Sequence, residues 1–291
     1  MFLTDEQVQE LEAKAKSIRV SIIEMLAEAK SGHPGGPLGM ADIFAALYFN
    51  ILKHDPKNPA WPERDRFILS NGHICPVLYA AMAHSGYFPV EELKTLRKFG
   101  SRLQGHPHRE FLPALENSSG PLGSGLSQAV GMAIADKIDH GKLSPRFVYC
   151  SLGDGELNEG QNWEAIMLAS KEKLGNLIAI IDRNNIQIDG YTEDVMPLAP
   201  VYDKWKAFGW HVQEIDGHDM RAIVGAVSEA KASFDRPSVI IAHTIPGRGV
   251  SYMEKRYEWH GTPPGISEVS GAPEKAKQVE VALAELKNNN I

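Results

Sequence analysis

Only two cysteines occur in the 291 residues, Cys75 and Cys150, too few for a disulfide framework or a zinc site. That scarcity fits reduced thiols in a cytoplasmic protein. The chain has no run of about eighteen apolar residues, so no segment reads as a membrane span. Met1-Phe2-Leu3 passes straight into Thr4-Asp5-Glu6-Gln7, without the basic and then apolar stretches of a secretory signal. Nor is there an excess of positive charge. Lys and Arg number 30 against 37 Asp and Glu, and a net charge of −7 argues against general nucleic-acid binding. Internal repeats, low-complexity segments and a convincing linker are missing too.

What is present is ordinary in bulk: 43% apolar and 23% charged residues, in a chain long enough for a sizeable core. Eleven histidines are the unusual count, and His33, His73, His106 and His260 sit beside glycine or proline. Imidazoles on loops point to a polar site, because loops carry function on a rigid scaffold. The plain alternative is a surface loop that tolerates His.

Thr4 with Gln7 forms a capping-box pattern that starts a helix near residue 5. Val8, Leu11, Ala15, Ile18, Ile22, Met25 and Ala29 then make one apolar stripe. The helix should stop at Ser31-Gly32-His33-Pro34-Gly35-Gly36-Pro37, which cannot continue it. A second helix is expected from about Met40 to Leu52. Apolar runs at 67–69, 147–150, 177–181 and 239–242 read as buried strands, and 211–215 as a strand nearer the sheet edge. Helical stretches fall at about 124–140, 159–173, 219–233 and 273–288. Continuously apolar strands alternating with helices predict one doubly wound α/β domain, its mostly parallel sheet covered by helices on both faces.

Ligands of such sheets lie at the carboxyl ends of the strands. Three polar loops follow predicted strands directly: Ser70-Asn71-Gly72-His73, Gly153-Asp154-Gly155 and Arg183-Asn184-Asn185. Adjacent parallel strands joined by one helix would bring Asp154 and Asn184 side by side. A carboxylate, an amide oxygen and a backbone carbonyl are hard ligands suited to Mg²⁺ or Ca²⁺. Gly153 and Gly155 would let backbone N–H groups approach a diphosphate. Taken singly, either loop reads as a turn.

Together, Gly153-Asp154-Gly155 and Asn184 resemble the metal-diphosphate motif of thiamine-diphosphate enzymes. Ser31-Gly32-His33-Pro34-Gly35, the block from Asp65 to His73, Gly105-His106-Pro107, Gly120-Pro121-Leu122-Gly123 and Trp259-His260-Gly261 are similar to those of transketolases, in order, over about residues 15–265. The resemblance implies a single diphosphate-binding domain over 1–291, with 266–291 a C-terminal helical extension. It implies thiamine diphosphate and Mg²⁺ as cofactors, with Ca²⁺ or Mn²⁺ as substitutes. Asp154, Asn184 and the Ile186 carbonyl would hold the metal. Gly153, Gly155, His73 and His260 would meet the diphosphate, Leu122 and Ile188 would flank the thiazolium, and Gly120 would meet the aminopyrimidine. His33, His73, His106 and His260 would line the substrate channel, with His33 and His260 moving protons and His73 and His106 hydrogen bonding the reacting oxygens. Glu159 and Glu164 match acids near the family's domain interface, or are exposed helix acids. Cys75 reads as a small buried hydrophobe, and His108 departs from the long-chain pattern.

Transketolases are typically long chains that also carry a pyrimidine-binding and a C-terminal domain. The resemblance therefore implies one chain of a split transketolase, acting on sugar phosphates with a separate pyrimidine-domain subunit in a 2+2 heterotetramer. Rival readings are a subunit of a deoxyxylulose-phosphate-synthase-like enzyme or of a dehydrogenase, a split enzyme for a modified sugar, and a non-catalytic homologue.

Overall fold

The computed structural model describes residues 3–141 and 144–288. The chain opens with helix α1 (Asp5–Ala29), capped as the sequence predicts. Gln7 N–H donates to Thr4 Oγ1 at 3.2 Å, and Thr4 N–H donates to Gln7 Oε1 at 3.0 Å. Its apolar stripe faces the core, with Leu11, Ala15, Ile18, Ile22 and Met25 buried. The helix ends at Ala29, and Lys30 takes a left-handed cap.

The Gly-Pro segment does break α1, but it is not all loop. Gly35–Gly39 winds into a short helix, α2, in which Pro37 lies in the first turn, where its missing N–H costs nothing. Helix α3 (Ala41–Ala46) follows. The expected helix to Leu52 loosens into a wider turn over 47–51, where Leu52 N–H bonds back to Leu47 C=O at 2.8 Å. Strand β1 (Arg66–Leu69) leads into helix α4 (Cys75–Ser85), which the periodicity missed. Its residues from Cys75 to Ala83 are all buried, and a helix apolar on every side shows no stripe.

Next come α5 (Ser124–His140), β2 (Val148–Gly153), α6 (Gly160–Lys171) and β3 (Leu177–Arg183). A small hairpin pairs β4 (Ile186–Gln187) with β5 (Gly190–Tyr191), ahead of α7 (Thr192–Val195) and α8 (Val201–Ala207). The chain then runs through β6 (His211–Asp216), α9 (Met220–Ala232) and β7 (Ser238–His243) to α10 (Gln278–Asn288). The main sheet has the order β1-β2-β3-β7-β6, and every pairing in it is parallel. The partly exposed β6 is at an edge, as its alternating sequence predicts.

Alternate side chains of the buried strands feed two separate cores. Phe67, Leu69, Tyr149, Ile178, Ile180 and Ile240 pack with α1, α3, α4, α9 and α10 on one face. Ile68, Cys150, Leu152, Ala179, Ile181 and Ile241 pack with α5, α6 and Trp205 of α8 on the other. Helix α10 lies against α1 with Ala282 and Leu286 buried. The last three positions of the expected C-terminal extension, 289–291, lie outside the described residues. Among the described residues, no helix is long and apolar enough to cross a membrane.

One buried polar cluster fastens the first core. Arg19, 1% exposed, makes a two-pronged ion pair with Asp42 at 3.1 and 2.5 Å, and its Nε donates to Leu38 C=O. His218 Nδ1 donates to Asp42 at 2.7 Å, while its Nε2 accepts from Ile245 N–H at 2.8 Å. Burial pushes the Asp42 carboxyl up, but Arg19 and His218 outweigh it and hold it below its usual range. Replacing Asp42 by Ala would strand a buried guanidinium, and urea unfolding should show a loss of about 3–5 kcal/mol. Unchanged stability in that variant would show that the ion pair is not what fastens α1.

Candidate active site

All five parallel strands deliver their carboxyl ends to one side, and the polar loops gather there. Gly153 pairs with Asp182 in the last register of β2 and β3, so the Asp154 and Asn184 turns leave the sheet next to each other. They are tied directly: Asp154 Oδ2 accepts from Asn185 N–H at 2.6 Å, and Asp154 Oδ1 accepts from Gly155 N–H at 2.7 Å. Asn184 Nδ2 donates to Asp182 at 2.8 Å, and its Oδ1 accepts from Ile186 N–H at 3.0 Å.

A cleft of about 470 Å³ opens over these turns, a size ordinary for small-molecule sites. His33, His73, His106, Gly120, Leu122, Gly153, Asp154, Gly155, Asn184, Ile186, Ile188 and His260 all line it. Every site residue anticipated from the sequence is therefore in one place. The imidazoles of His33, His73 and His260 form a triangle with ring centroids 5.2–5.6 Å apart. Close backbone approach makes this possible: a Cβ on Gly35 would lie 3.2 Å from the Trp259 carbonyl oxygen and 3.3 Å from His260 Cα. Leu122 and Ile188 stand at the rim, 37% and 64% exposed, as apolar walls with one open side.

His108 is not among the residues that line the cleft, and its ring lies tilted against Phe111 with centroids 4.6 Å apart. Glu159 and Glu164 lie exposed at the start of α6. The Cys75 thiol is buried, donates to Gly105 C=O at 3.2 Å, and is pushed up to about 12 by burial. It packs as a small buried hydrophobe, with burial favouring the protonated thiol.

Electrostatics in the cleft are set by loss of water. Burial depresses His33 to about 4, helped by His260, Arg97 and His106, and depresses His260 to about 4. His73 and His106 are lowered too, with burial again the main cause. All four rings are therefore neutral near pH 7. The acids move the other way: burial raises Asp154 to about 6 and Asp182 to about 7. Buried acids and unpaired imidazoles are groups that a bound cation and a bound anion would each stabilise.

Sequence reasoning missed several lining or supporting side chains. Asp182 and Glu156 line the cleft from beneath, and Arg183 reaches Asp154 at 3.3 Å. Arg97 donates to Ser31 Oγ at 2.8 Å and to Gly105 C=O at 3.3 Å, joining the His33 and His106 loops. Asp182 and Glu156 each adjoin the quoted motif, and an acid beside a phosphate-binding turn is the signal that could have marked them.

The donors fit a cofactor of two characters. Asp154, Asn184 and the Ile186 carbonyl offer hard oxygens for a divalent cation. The buried Nδ1 atoms of His33 and His260 have no partner, and nothing lies within 4 Å of where a Cβ on Gly120 would project. Such a cleft at the carboxyl edge of a parallel sheet defines an α/β domain for a phosphorylated cofactor. Residues 11–278 match the family model described as transketolase, thiamine diphosphate binding domain. The chain belongs to the transketolase family, through that domain.

Two kinds of relative bracket it. It is 48% identical to the 6-deoxy-6-sulfo-D-fructose transketolase subunit SqwG of a Clostridium species, over 88% of this chain and 92% of that one. It is 42% identical to an apulose-4-phosphate transketolase subunit of Actinobacillus succinogenes, over 96% of both. Against transketolase 1 of Escherichia coli, 41% identical, it spans only 40% of the longer chain. The transketolase of Pichia stipitis solved with sedoheptulose 7-phosphate superposes with a TM-score of 0.84 at 35% identity, over 95% of this chain and 44% of that one.

The depressed imidazoles give a test by ring-nitrogen NMR. In the ligand-free chain His33 and His260 should stay neutral at pH 6 and protonate only near pH 4. Each favours the folded state fully above its ordinary value of 6.5, a contribution lost as pH falls toward 4. Asp154 and Asp182 run oppositely, disfavouring the fold as pH rises through 6 to 7, so site-resolved titration is needed. A ring titrating at 6.5 would mean that it is not buried as described.

Proposed function

We propose that this chain is the cofactor-binding subunit of a two-chain transketolase, which transfers a two-carbon ketol unit from a ketose phosphate to an aldose phosphate. The observation that carries this reading is the meeting of His33, His73, His106 and His260 with the Asp154–Asn184 pair in one cleft. The near-complete coverage of relatives named as transketolase subunits supports a separate partner chain. Leu122 and Ile188, apolar and open on one side, are where a pyrimidine-binding domain of that partner would close the site. Two of each chain is the expected assembly, because closed twofold oligomers predominate. The two free, buried thiols fit a cytoplasmic location.

Asp154, Asn184 and the Ile186 carbonyl would hold Mg²⁺, with Ca²⁺ or Mn²⁺ able to substitute, and the ion would reverse the upward push on Asp154. Gly153 and Gly155, which carry no side chains, would let the diphosphate come close to the backbone of this turn, and His73 and His260 would offer it ring N–H groups. Leu122 and Ile188 would flank the thiazolium and Gly120 would meet the aminopyrimidine. When bound, thiamine diphosphate supplies the nucleophilic carbon that takes up and passes on the two-carbon unit. The imidazoles handle protons on sugar hydroxyls. A ring held near 4 is a weak base, but anionic phosphates beside it would raise it toward neutrality, where proton transfer works best. We assign His33 and His260 to proton transfer, and His73 and His106 to hydrogen bonds with the reacting oxygens.

One observation favours a second reading: the 48% identical relative is named for a sulfo-sugar. A two-carbon transfer assay separates the two. The chain mixed with its pyrimidine-domain partner, thiamine diphosphate and Mg²⁺ should turn over xylulose 5-phosphate and ribose 5-phosphate, and neither chain should be active by itself. Silence from a cofactor-loaded complex, with turnover of 6-deoxy-6-sulfofructose instead, would replace the phosphorylated donor by the sulfonated one.

Asp154→Ala removes the one charged metal ligand and should abolish Mg²⁺-dependent cofactor binding, read by calorimetry. Undiminished binding would remove Asp154 from the metal site.

A further inference from the structure

Glu156 is a buried acid that the proposed chemistry does not use. It follows Asp154-Gly155 directly and is 2% exposed. Its Oε1 accepts from Gly123 N–H at 2.7 Å and from the Ser70 hydroxyl, and its Oε2 accepts from Gly153 N–H at 3.0 Å. Ser70 Oγ in turn accepts from Gly125 N–H at 3.1 Å. The Glu156 carbonyl also accepts from Asn162 Nδ2 at 2.8 Å, which tethers α6.

A buried carboxylate is costly unless its oxygens are satisfied. Here two backbone N–H groups and a hydroxyl satisfy it, at the amino end of α5, where the helix dipole also favours negative charge. These bonds oppose the upward push that burial exerts on its pKa.

The places it ties together matter. Ser70 directly follows β1, Gly123 closes the loop that carries Gly120 and Leu122, and Gly153 opens the turn that carries Asp154 and Gly155. Segment 119–123 belongs to no strand, so sheet pairing cannot set its position. Its bond from Gln161 Nε2 to Leu122 C=O, at 3.1 Å, is exposed and correspondingly weak. Glu156 is the buried link between the apolar wall and the diphosphate turn.

We propose that Glu156 is a positioning residue, whose carboxylate sets the distance between the Gly120–Leu122 wall and the Asp154–Gly155 turn so that one cofactor meets both. This rests on the reading of the cleft as a thiamine diphosphate site. A ligand that engages the turn alone does not need that distance. Magnesium pyrophosphate is such a ligand and serves as the internal control.

The test measures Kd for thiamine diphosphate at saturating Mg²⁺, and for magnesium pyrophosphate by competition, in the complex with the pyrimidine-domain subunit. Glu156→Ala should weaken thiamine diphosphate by about tenfold or more, and magnesium pyrophosphate by less than about threefold. Glu156→Gln should follow it, because an amide N–H₂ would face donors at Gly123 or Gly153. Ser70→Ala is the milder change should the Glu156 variants not fold, and should weaken thiamine diphosphate alone by about threefold. Equal weakening of both ligands, as a general loosening of the fold would give, overturns the proposal, and so does unchanged affinity. A wild-type complex that binds neither ligand overturns the cofactor reading itself, and the proposal with it.

Discussion

The parallel pairing of β2 with β3 is the constraint on which the site depends. Its last register sets Gly153 against Asp182, and from there both chains turn off the sheet together. Asp154 and Asn184 are thirty residues apart in sequence, yet the Asn185 N–H bonds to the Asp154 carboxylate. No local preference of either turn could arrange that. It follows from two buried apolar strands, one crossover helix and the rule that such crossovers return in the same direction.

Around that pair, the glycine-rich segments act as spacers between loops from distant parts of the chain. Gly35 lets the His33 loop lie against the backbone of His260, and Arg97 bridges the His33 loop to the His106 loop. The result is a polar cleft walled by buried groups that water no longer solvates. Lowered imidazole and raised carboxyl pKa values are the consequence of that desolvation.

Part of this architecture is legible from the residues for clear reasons. The α1 stripe and its capping box are local periodicities, and the structure keeps both. The buried strands read as continuous apolar runs because parallel sheets are covered on both faces. Helix α4 is invisible because burial on all sides erases the period. The short α2 is hidden by glycine and proline, which break a helix interior yet are tolerated in a first turn. The site histidines stand out as imidazoles on loops, but Arg97 and Glu156 do not. Glu156 is marked only as an acid beside the turn, and which loops it and Arg97 join is not written in their local sequence.

Periodicity and residue chemistry, which act over a few positions, are enough to define the doubly wound α/β class, the strands and most helices. They also mark the residues around which a diphosphate and a metal could be held. Packing alone decides that His33, His73 and His260 share one triangle, that burial lowers the pKa of all three, and that a buried carboxylate spans three loops. Burial and distance between far-separated segments exist only once the sheet has closed over its two cores.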